Sequence, residues 1–268
     1  MGKYDGWLIV SDMDATLLDD NKQISHENIQ AIDYFTKNGG LFTIATGRMS
    51  PAVKMYLENV HINAPAILHN GAQIYDFSKN SELFSKCIEE ERKESIRRVY
   101  KEIPEPGIEV FTNTDKVYIY RACSETERYK EREVEVIYGM PDYAWDEKWI
   151  KVLIIDDKAV LDRIEPVYRT MYDRGYAVRS GDMYLDIVAN GVSKGLALTE
   201  LVKNLGVEHD HVIAAGDNMN DISMLYASGC GVAVENAEQE VKDAADTIAP
   251  DNNHPIVKFI IEEIIDKR

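Results

Sequence analysis

The sequence predicts an α/β protein: a doubly wound parallel-sheet core into which a second, α+β domain is inserted. Three observations predict it. Short apolar runs alternate with amphipathic helical stretches at both ends of the chain. Between those ends, from about Leu83 to about Val188, the texture changes to paired strands separated by charged helices. The apolar runs of the two ends also stop abruptly in polar residues, the first of them in Asp12 and Asp14. The expected division is residues 1–82 and 187–268 for the core and 83–186 for the insert.

Taken in order, Leu8 to Val10 reads as a buried parallel strand. Ser25 is an N-cap for a helix over Glu27 to Lys37, which Asn38-Gly39-Gly40 stops. Leu41 to Ala45 is a second buried strand ending in Thr46-Gly47-Arg48, and Pro51 fits the first turn of the helix that follows. Pro65 to His69 reads as a third core strand, closed by the turn signal Asn70-Gly71. In the insert, a charged helix over Glu89 to Glu102 precedes a strand pair, Ile108 to Phe111 and Lys116 to Arg121. A second charged helix is expected over Glu125 to Val136, a strand over Trp149 to Ile155, and a helix over Val160 to Tyr172. Strands over Tyr176 to Arg179 and Tyr184 to Val188 complete the insert. Tyr118, Tyr120, Tyr184 and Trp145 read as strand packing. The parallel pattern then returns: Ser193 caps a helix over Gly195 to Lys203, and Val212 to Ala215 is a buried strand ending in Gly216-Asp217-Asn218. A helix over Ile222 to Ala227, a strand over Gly231 to Val234 and an amphipathic helix over Pro255 to Asp266 follow.

Composition narrows the function. The chain has 45% apolar and 29% charged residues, ordinary for a globular protein. A net charge of −17 argues against a nucleic-acid partner and against a polybasic membrane surface. It also means that an anionic ligand would need a local cation. No apolar run approaches a membrane span and the N-terminus has no signal-peptide pattern. Three widely spaced cysteines, Cys87, Cys123 and Cys230, fit reduced thiols in a cytoplasm better than a disulfide framework or a zinc site. The six histidines form no metal spacing, and His209 and His211 read as surface residues.

The chemistry sits at strand ends. Asp12 and Asp14 follow the first strand, Thr46 and Gly47 the second, and Asp217 the strand Val212 to Ala215. In an open α/β sheet these carboxyl ends converge on one edge, where ligands bind. Lys194, after the insert, can reach the same edge. Carboxylate oxygens with water and a phosphate oxygen make a Mg2+ site. A carboxylate can also accept a phosphoryl group, and a hydroxyl, a backbone amide and a lysine can neutralise its oxygens in the transition state. Each member alone has a plainer reading: the acid pair a solvated turn, Thr46 or Asp217 a helix cap, Lys194 a solvated side chain opposing a helix dipole. Arg48 could meet substrate or merely pair with an acid.

These residues carry a resemblance. Asp12-Met13-Asp14-Ala15-Thr16-Leu17 resembles the first motif of the haloacid dehalogenase-like phosphatases. Thr46 in Ile44-Ala45-Thr46-Gly47-Arg48 resembles the second, Lys194 in Val192-Ser193-Lys194-Gly195 the third, and Gly216-Asp217-Asn218-Met219-Asn220-Asp221 the fourth. The insert between Ile74 and Val188 is similar to the type IIB cap of the Cof-type subfamily, and Asn70-Gly71-Ala72 before it is typical of that subfamily. The resemblance implies a Rossmann-like core with a cap that selects the leaving group. It implies a Mg2+-dependent phosphatase that hydrolyses phosphomonoesters of small metabolites, sugar phosphates or phosphorylated cofactors, through an aspartyl-phosphate. In that scheme Asp12 is the nucleophile and Asp14 the general acid and base. Asp12, Asp217 and the Asp14 backbone carbonyl hold the metal, with Asp221 in support. Thr46, Gly47, Lys194 and Asn220 hold the phosphoryl group. The family usually has glycine where this chain has Ala15, an exchange that is tolerable if φ stays negative. Two rival activities remain on the same residues: a sugar phosphomutase, and a catalytically silent binder of phosphorylated metabolites. A receiver-type phosphorelay module would leave the insert without a use.

Overall fold

The computed structural model describes residues 2–131, 134–175 and 177–268. In chain order the strands are β1 (Leu8–Ser11), β2 (Leu41–Ile44), β3 (Ala66–Leu68), β4 (Gln73–Asp76) and β5 (Ser81–Ser85). Next come β6 (Gly107–Thr112), β7 (Lys116–Arg121), β8 (Glu135–Tyr138), β9 (Trp149–Ile155), β10 (Ala177–Arg179) and β11 (Tyr184–Val188). The last are β12 (Val212–Gly216), β13 (Cys230–Val234) and β14 (Thr247–Ala249). The chain divides into two compact units. One comprises Met1–Arg48, Val53–Leu83 and Ser193–Arg268; the other comprises Met49–Ala52 and Phe84–Val192.

The first unit is built on a five-stranded sheet of order β14-β13-β12-β1-β2, parallel throughout. Leu8, Ile9 and Val10 are fully buried, as are the residues of β12, which explains the unbroken apolar runs. From β1 the chain moves to β2 on one side and later returns to β12 on the other. The strand order therefore reverses at β1, and a crevice opens at the carboxyl ends there. Register fixes what meets at that crevice: Ser11 is level with both Ala215 and Ile44. Helix α1 (His26–Lys37) begins where the Ser25 side chain accepts the Asn28 N–H at 3.2 Å. It ends before Gly39, whose φ of +96° suits glycine.

β3 departs from the expected third parallel strand. Among the described residues its ladder link to the parallel sheet is an isolated parallel bridge, Ala45 to Ile67, and its own ladder is antiparallel, with β4 in a three-stranded sheet β3-β4-β5. The tight Asn70-Gly71 turn folds the chain back at once, so Gln73 lies opposite Leu68.

The second unit holds a six-stranded sheet of order β10-β11-β9-β6-β7-β8, antiparallel except for the β7–β8 pair. Helices α2 (Ser50–Lys54), α3 (Glu90–Glu102) and α4 (Lys158–Val167) follow α1 in the chain. Ile96 and Val99 of α3 and Leu161 of α4 join Ile108, Val110, Trp149 and Val152 in one apolar core. The helix expected over Glu125 to Val136 is instead a 3-10 stretch over Ser124–Glu131 followed by β8; Arg132 and Glu133 lie outside the described residues. The charge-rich run favours helix locally, but Val136 and Ile137 pair with Val117 and Tyr118 of β7, and that pairing overrides propensity. The strand expected to begin at Tyr176 is described from Ala177, since Tyr176 too lies outside the described residues. No helix among the described residues is long and apolar enough to cross a membrane.

Candidate active site

Asp12 leaves the end of β1 with its backbone N–H donated to the Ala215 carbonyl at 2.8 Å. Asp217 follows β12 directly. Lys194 opens helix α5 (Lys194–Leu205), whose N-cap is Ser193, with its hydroxyl accepting the Leu196 N–H at 3.1 Å. A lysine here opposes the helix dipole, and its acid partners are the reason it stands here: its ammonium is 1% exposed and donates to both Asp12 and Asp221, the latter at 2.6 Å. Burial works against that ammonium, but the two carboxylates raise its pKa above the ordinary lysine value, so it stays charged.

One ammonium does not balance three acids. Asp12, Asp217 and Asp221 each bring a carboxylate oxygen within 4.8 Å of the others. Burial raises the Asp12 carboxyl, Lys194 opposes it, and the charges of Asp221, Asp217 and Asp14 add to burial, so its pKa stands above the usual carboxylate range. Burial and then the Asp221 carboxylate push Asp217 up to about 7. A site in which two acids, Asp12 and Asp217, resist ionisation is one that a cation stabilises. The donors are all carboxylate oxygen, a set that suits a hard divalent ion such as Mg2+. Asp221 is braced: it accepts Lys194 on one oxygen and the Asp217 and Asn218 backbone N–H groups, at 3.1 and 3.0 Å, on the other. Asp217 accepts the Thr16 hydroxyl at 2.7 Å on one oxygen only.

Asp14 stands apart from this cluster. Its carboxylate is gripped by Arg48, Nε to Oδ2 at 2.8 Å and Nη2 to Oδ1 at 2.7 Å, with Lys22 at 3.6 Å. Against burial, which raises it, the Arg48 guanidinium holds the Asp14 carboxyl below its usual value. Arg48 is thus the partner of an acid, lying also over the Tyr56 ring at 5.0 Å. The loop between them corrects one condition of the sequence reading: Ala15 has φ +57°, in the left-handed region. An alanine there costs about 1–2 kcal/mol. The loop holds it with a hydrogen bond from the Asn236 amide to the Ala15 carbonyl at 2.8 Å.

The second motif lies beside the fourth. Thr46 is buried; its N–H donates to the Ile67 carbonyl at 2.8 Å and its hydroxyl accepts the Arg48 N–H at 3.2 Å. Asn220 donates its amide to Asn70 at 2.9 Å, and Asn70 lies against Gly47, where a Cβ would come within 3.1 Å of its Oδ1. The expected site residues therefore fall into two groups: Asp12, Lys194 and Asp217 around Asp221, and Thr46, Gly47 and Asn220 around Asn70. Asn70 and the bracing Thr16 carried no role in the sequence reading. Thr16 sits within the first motif and Asn70 within a turn signal, and only contacts across the fold distinguish them.

The profile of the haloacid dehalogenase-like hydrolases matches residues 9–260. The 5-amino-6-(5-phospho-D-ribitylamino)uracil phosphatase YcsE of Bacillus subtilis is 28% identical over 250 residues, covering 91% of this chain and 90% of that protein. The pyridoxal phosphate phosphatase YbhA of Escherichia coli is 27% identical over 271 residues, covering 96% of this chain and 98% of that protein. A crystal structure of a haloacid dehalogenase-like hydrolase from Bacteroides thetaiotaomicron superposes with a TM-score of 0.82 at 25% identity, covering 98% of this chain and 100% of that one. With a matching profile across nearly its whole length, a shared fold and relatives named as phosphatases, this chain belongs to the haloacid dehalogenase-like hydrolases and is a hydrolase of their phosphatase kind.

Proposed function

We propose that the protein is a Mg2+-dependent phosphomonoesterase that works through an aspartyl-phosphate on Asp12 and takes small phosphorylated metabolites. The observation that carries this reading is the Asp12 carboxylate at the end of β1, ion-paired with the buried Lys194 and crowded by two further acids. A carboxylate so placed is a nucleophile whose charge is neutralised as phosphate arrives, and Lys194 then meets the phosphoryl oxygens. Bound Mg2+, held by Asp12, Asp217 and the Asp14 backbone carbonyl, would supply electrostatic shielding between the anionic nucleophile and the anionic substrate.

The protein groups divide the remaining work. An Asp12 oxygen bonds to phosphorus as the ester P–O bond breaks, and the departing alkoxide takes a proton from Asp14. Water then gives its proton back to Asp14 and attacks the aspartyl-phosphate, which releases inorganic phosphate and restores Asp12. For the first step Asp14 must carry a proton, so its pair with Arg48 has to open when substrate enters. The Thr46 hydroxyl, the Gly47 amide and Lys194 hold the phosphoryl oxygens. The named substrates of the two relatives, a phosphorylated ribitylaminouracil and pyridoxal phosphate, support a metabolite-sized phosphomonoester as the substrate class.

The test is a panel of phosphorylated sugars, nucleotides and cofactors, assayed for phosphate release with Mg2+ and with EDTA. Release that stops in EDTA is the expected result. Transfer of the phosphoryl group to a sugar in place of water would make the protein a mutase. Binding of panel members without turnover, in folded protein with Mg2+, would make it a silent binder.

A further inference from the structure

We infer that Asn70 is a phosphate-binding residue of this site, its side-chain amide donating to a phosphoryl oxygen beside Gly47. The inference rests on the phosphatase reading and deepens it. Asn70 is 1% exposed. Its Oδ1 accepts the Asn220 amide at 2.9 Å, while its Nδ2, with two N–H groups, is buried and has no hydrogen-bond partner among the described residues. A buried donor left without a partner is a standing cost that a scaffold side chain has no reason to carry. This donor lies where an acceptor is expected: a Cβ on Gly47 would sit 3.3 Å from it.

The backbone is bent out of its way to put the amide there. His69, Asn70 and Gly71 have φ of +50°, +57° and +98°, three consecutive residues in the left-handed region, of which glycine alone enters it freely. Backbone N–H groups of His69 and Asn70 hold the turn to the second motif, donating to the Arg48 and Thr46 carbonyls at 3.2 and 3.0 Å. On its other side Gly71 presses on the third motif, since a Cβ there would come within 2.2 Å of the Ser193 carbonyl oxygen. Through Asn220 the same turn meets the fourth motif. Strain that persists between three such neighbours is the kind that sites store. Its product here is one oriented amide: Asn220 spends an N–H on the Asn70 oxygen and thereby turns the Asn70 nitrogen toward the phosphoryl position.

A plainer role for Asn70 is to tolerate the left-handed turn. Glycine tolerates it better, so Asn70→Gly is the variant that relaxes the backbone; it removes the Nδ2 donor together with the Oδ1 that accepts Asn220, and Asn70→Asp, which keeps that oxygen, separates the two. The expected result is an unchanged or higher Tm, with inhibition by inorganic phosphate and kcat/KM each weakened about ten- to hundredfold, the scale of one hydrogen bond to a charged group. Asn70→Asp keeps the shape, replaces donors by acceptors and should weaken inhibition by inorganic phosphate further still. Wild-type phosphate inhibition and kcat/KM in Asn70→Gly would overturn the Asn70 assignment while leaving the phosphatase reading intact, and so would a variant altered only in Tm. A wild-type protein that neither hydrolyses the panel nor binds inorganic phosphate would overturn both.

Discussion

The two units of the molecule bury charge in opposite ways. In the second unit the buried charged residues, among the described ones, are Arg92, Lys93 and Lys151 against Glu109, Asp173 and Asp186, three of each sign. Each has its partner: Arg92 meets Asp173 at 2.7 Å, Lys151 meets Asp186 at 2.7 Å, and Glu109 meets Arg128. Lys93 donates to the Trp145 and Glu147 carbonyls at 2.9 Å each. Asp173 is further satisfied by the Tyr168 hydroxyl and the Gly175 N–H, both at 2.7 Å. In the first unit the buried charged residues are Lys194 against Asp12, Asp76 and Asp221: Asp76 meets Lys79 at 2.8 Å, while Lys194 faces Asp12, Asp221 and the half-buried Asp217. Balanced burial holds a scaffold together; unbalanced burial of acids leaves work for a cation and a ligand.

The largest effect that could break this contrast is at the proposed nucleophile. Asp12→Asn should cut kcat by about ten-thousandfold or more while the far-UV circular dichroism stays that of the folded protein. Residual turnover near wild type would remove Asp12 from the chemistry. Next come the two kinds of buried ion pair. Lys194→Met strips the acid cluster of its one cation and should cost roughly 3–5 kcal/mol of stability in EDTA, with turnover lost as well. Asp173→Asn in the second unit breaks a pair of the same burial and should destabilise on a similar scale, about 3 kcal/mol. It should leave kcat and KM of the folded protein where they were. If both variants lost activity to the same degree, the division between scaffold charge and site charge would not stand.

A third test is titration. The Asp217 pKa of about 7 lies above its ordinary 3.8. A carboxyl raised by folding favours the folded state where it is protonated, so in EDTA its contribution is lost as pH climbs from about 4 through about 7. Asp14 has the opposite sign: its lowered pKa contributes above the ordinary 3.8 and is lost as pH falls below that value. On the proposed reading Mg2+ would take the place of the proton on the raised acids. The Mg2+-induced rise in Tm should therefore be small near about pH 5 and grow through about pH 7. A rise independent of pH would separate the acid excess from cation binding. The smallest expected effect is Ala15→Gly, which should stabilise the protein by about 1 kcal/mol by relieving the left-handed alanine. No gain in Tm would mean that the loop around Asn236 has already absorbed the strain.

Much of this was legible in the chain. The strands Trp149–Ile155 and Tyr184–Val188, and the caps Ser25 and Ser193, stand where propensity and capping placed them, because each rests on neighbours in sequence. β4 and β5 went unread, since Ser81–Ser85 is half-exposed and polar enough to pass for a loop. β8 was read as helix for the converse reason, a helix-favouring charge run ahead of residues whose strand partner lies elsewhere. In the site, the acids, Thr46 and Lys194 were legible as types of chemistry. Which acid meets which cation was not: Arg48 was open between substrate and acid, and only the fold places it on Asp14.

By itself, then, the sequence determined an alternating α/β core with an insert and four short strings of reactive residues in a fixed order. Those are properties of contiguous chain, set by side-chain periodicity and by what each residue type can do. Only the tertiary structure decided that Lys194 lies between Asp12 and Asp221, since the first of those contacts spans 182 residues. It alone decided that Arg48 restrains Asp14, that Ala15 sits at positive φ, and that three strained residues carry the Asn70 amide to Gly47. The physical reason is common to all of them. A residue's partner and its backbone angle follow from strand register and from the closure of distant segments on one sheet edge, and neither is encoded in any window of sequence short enough to read directly.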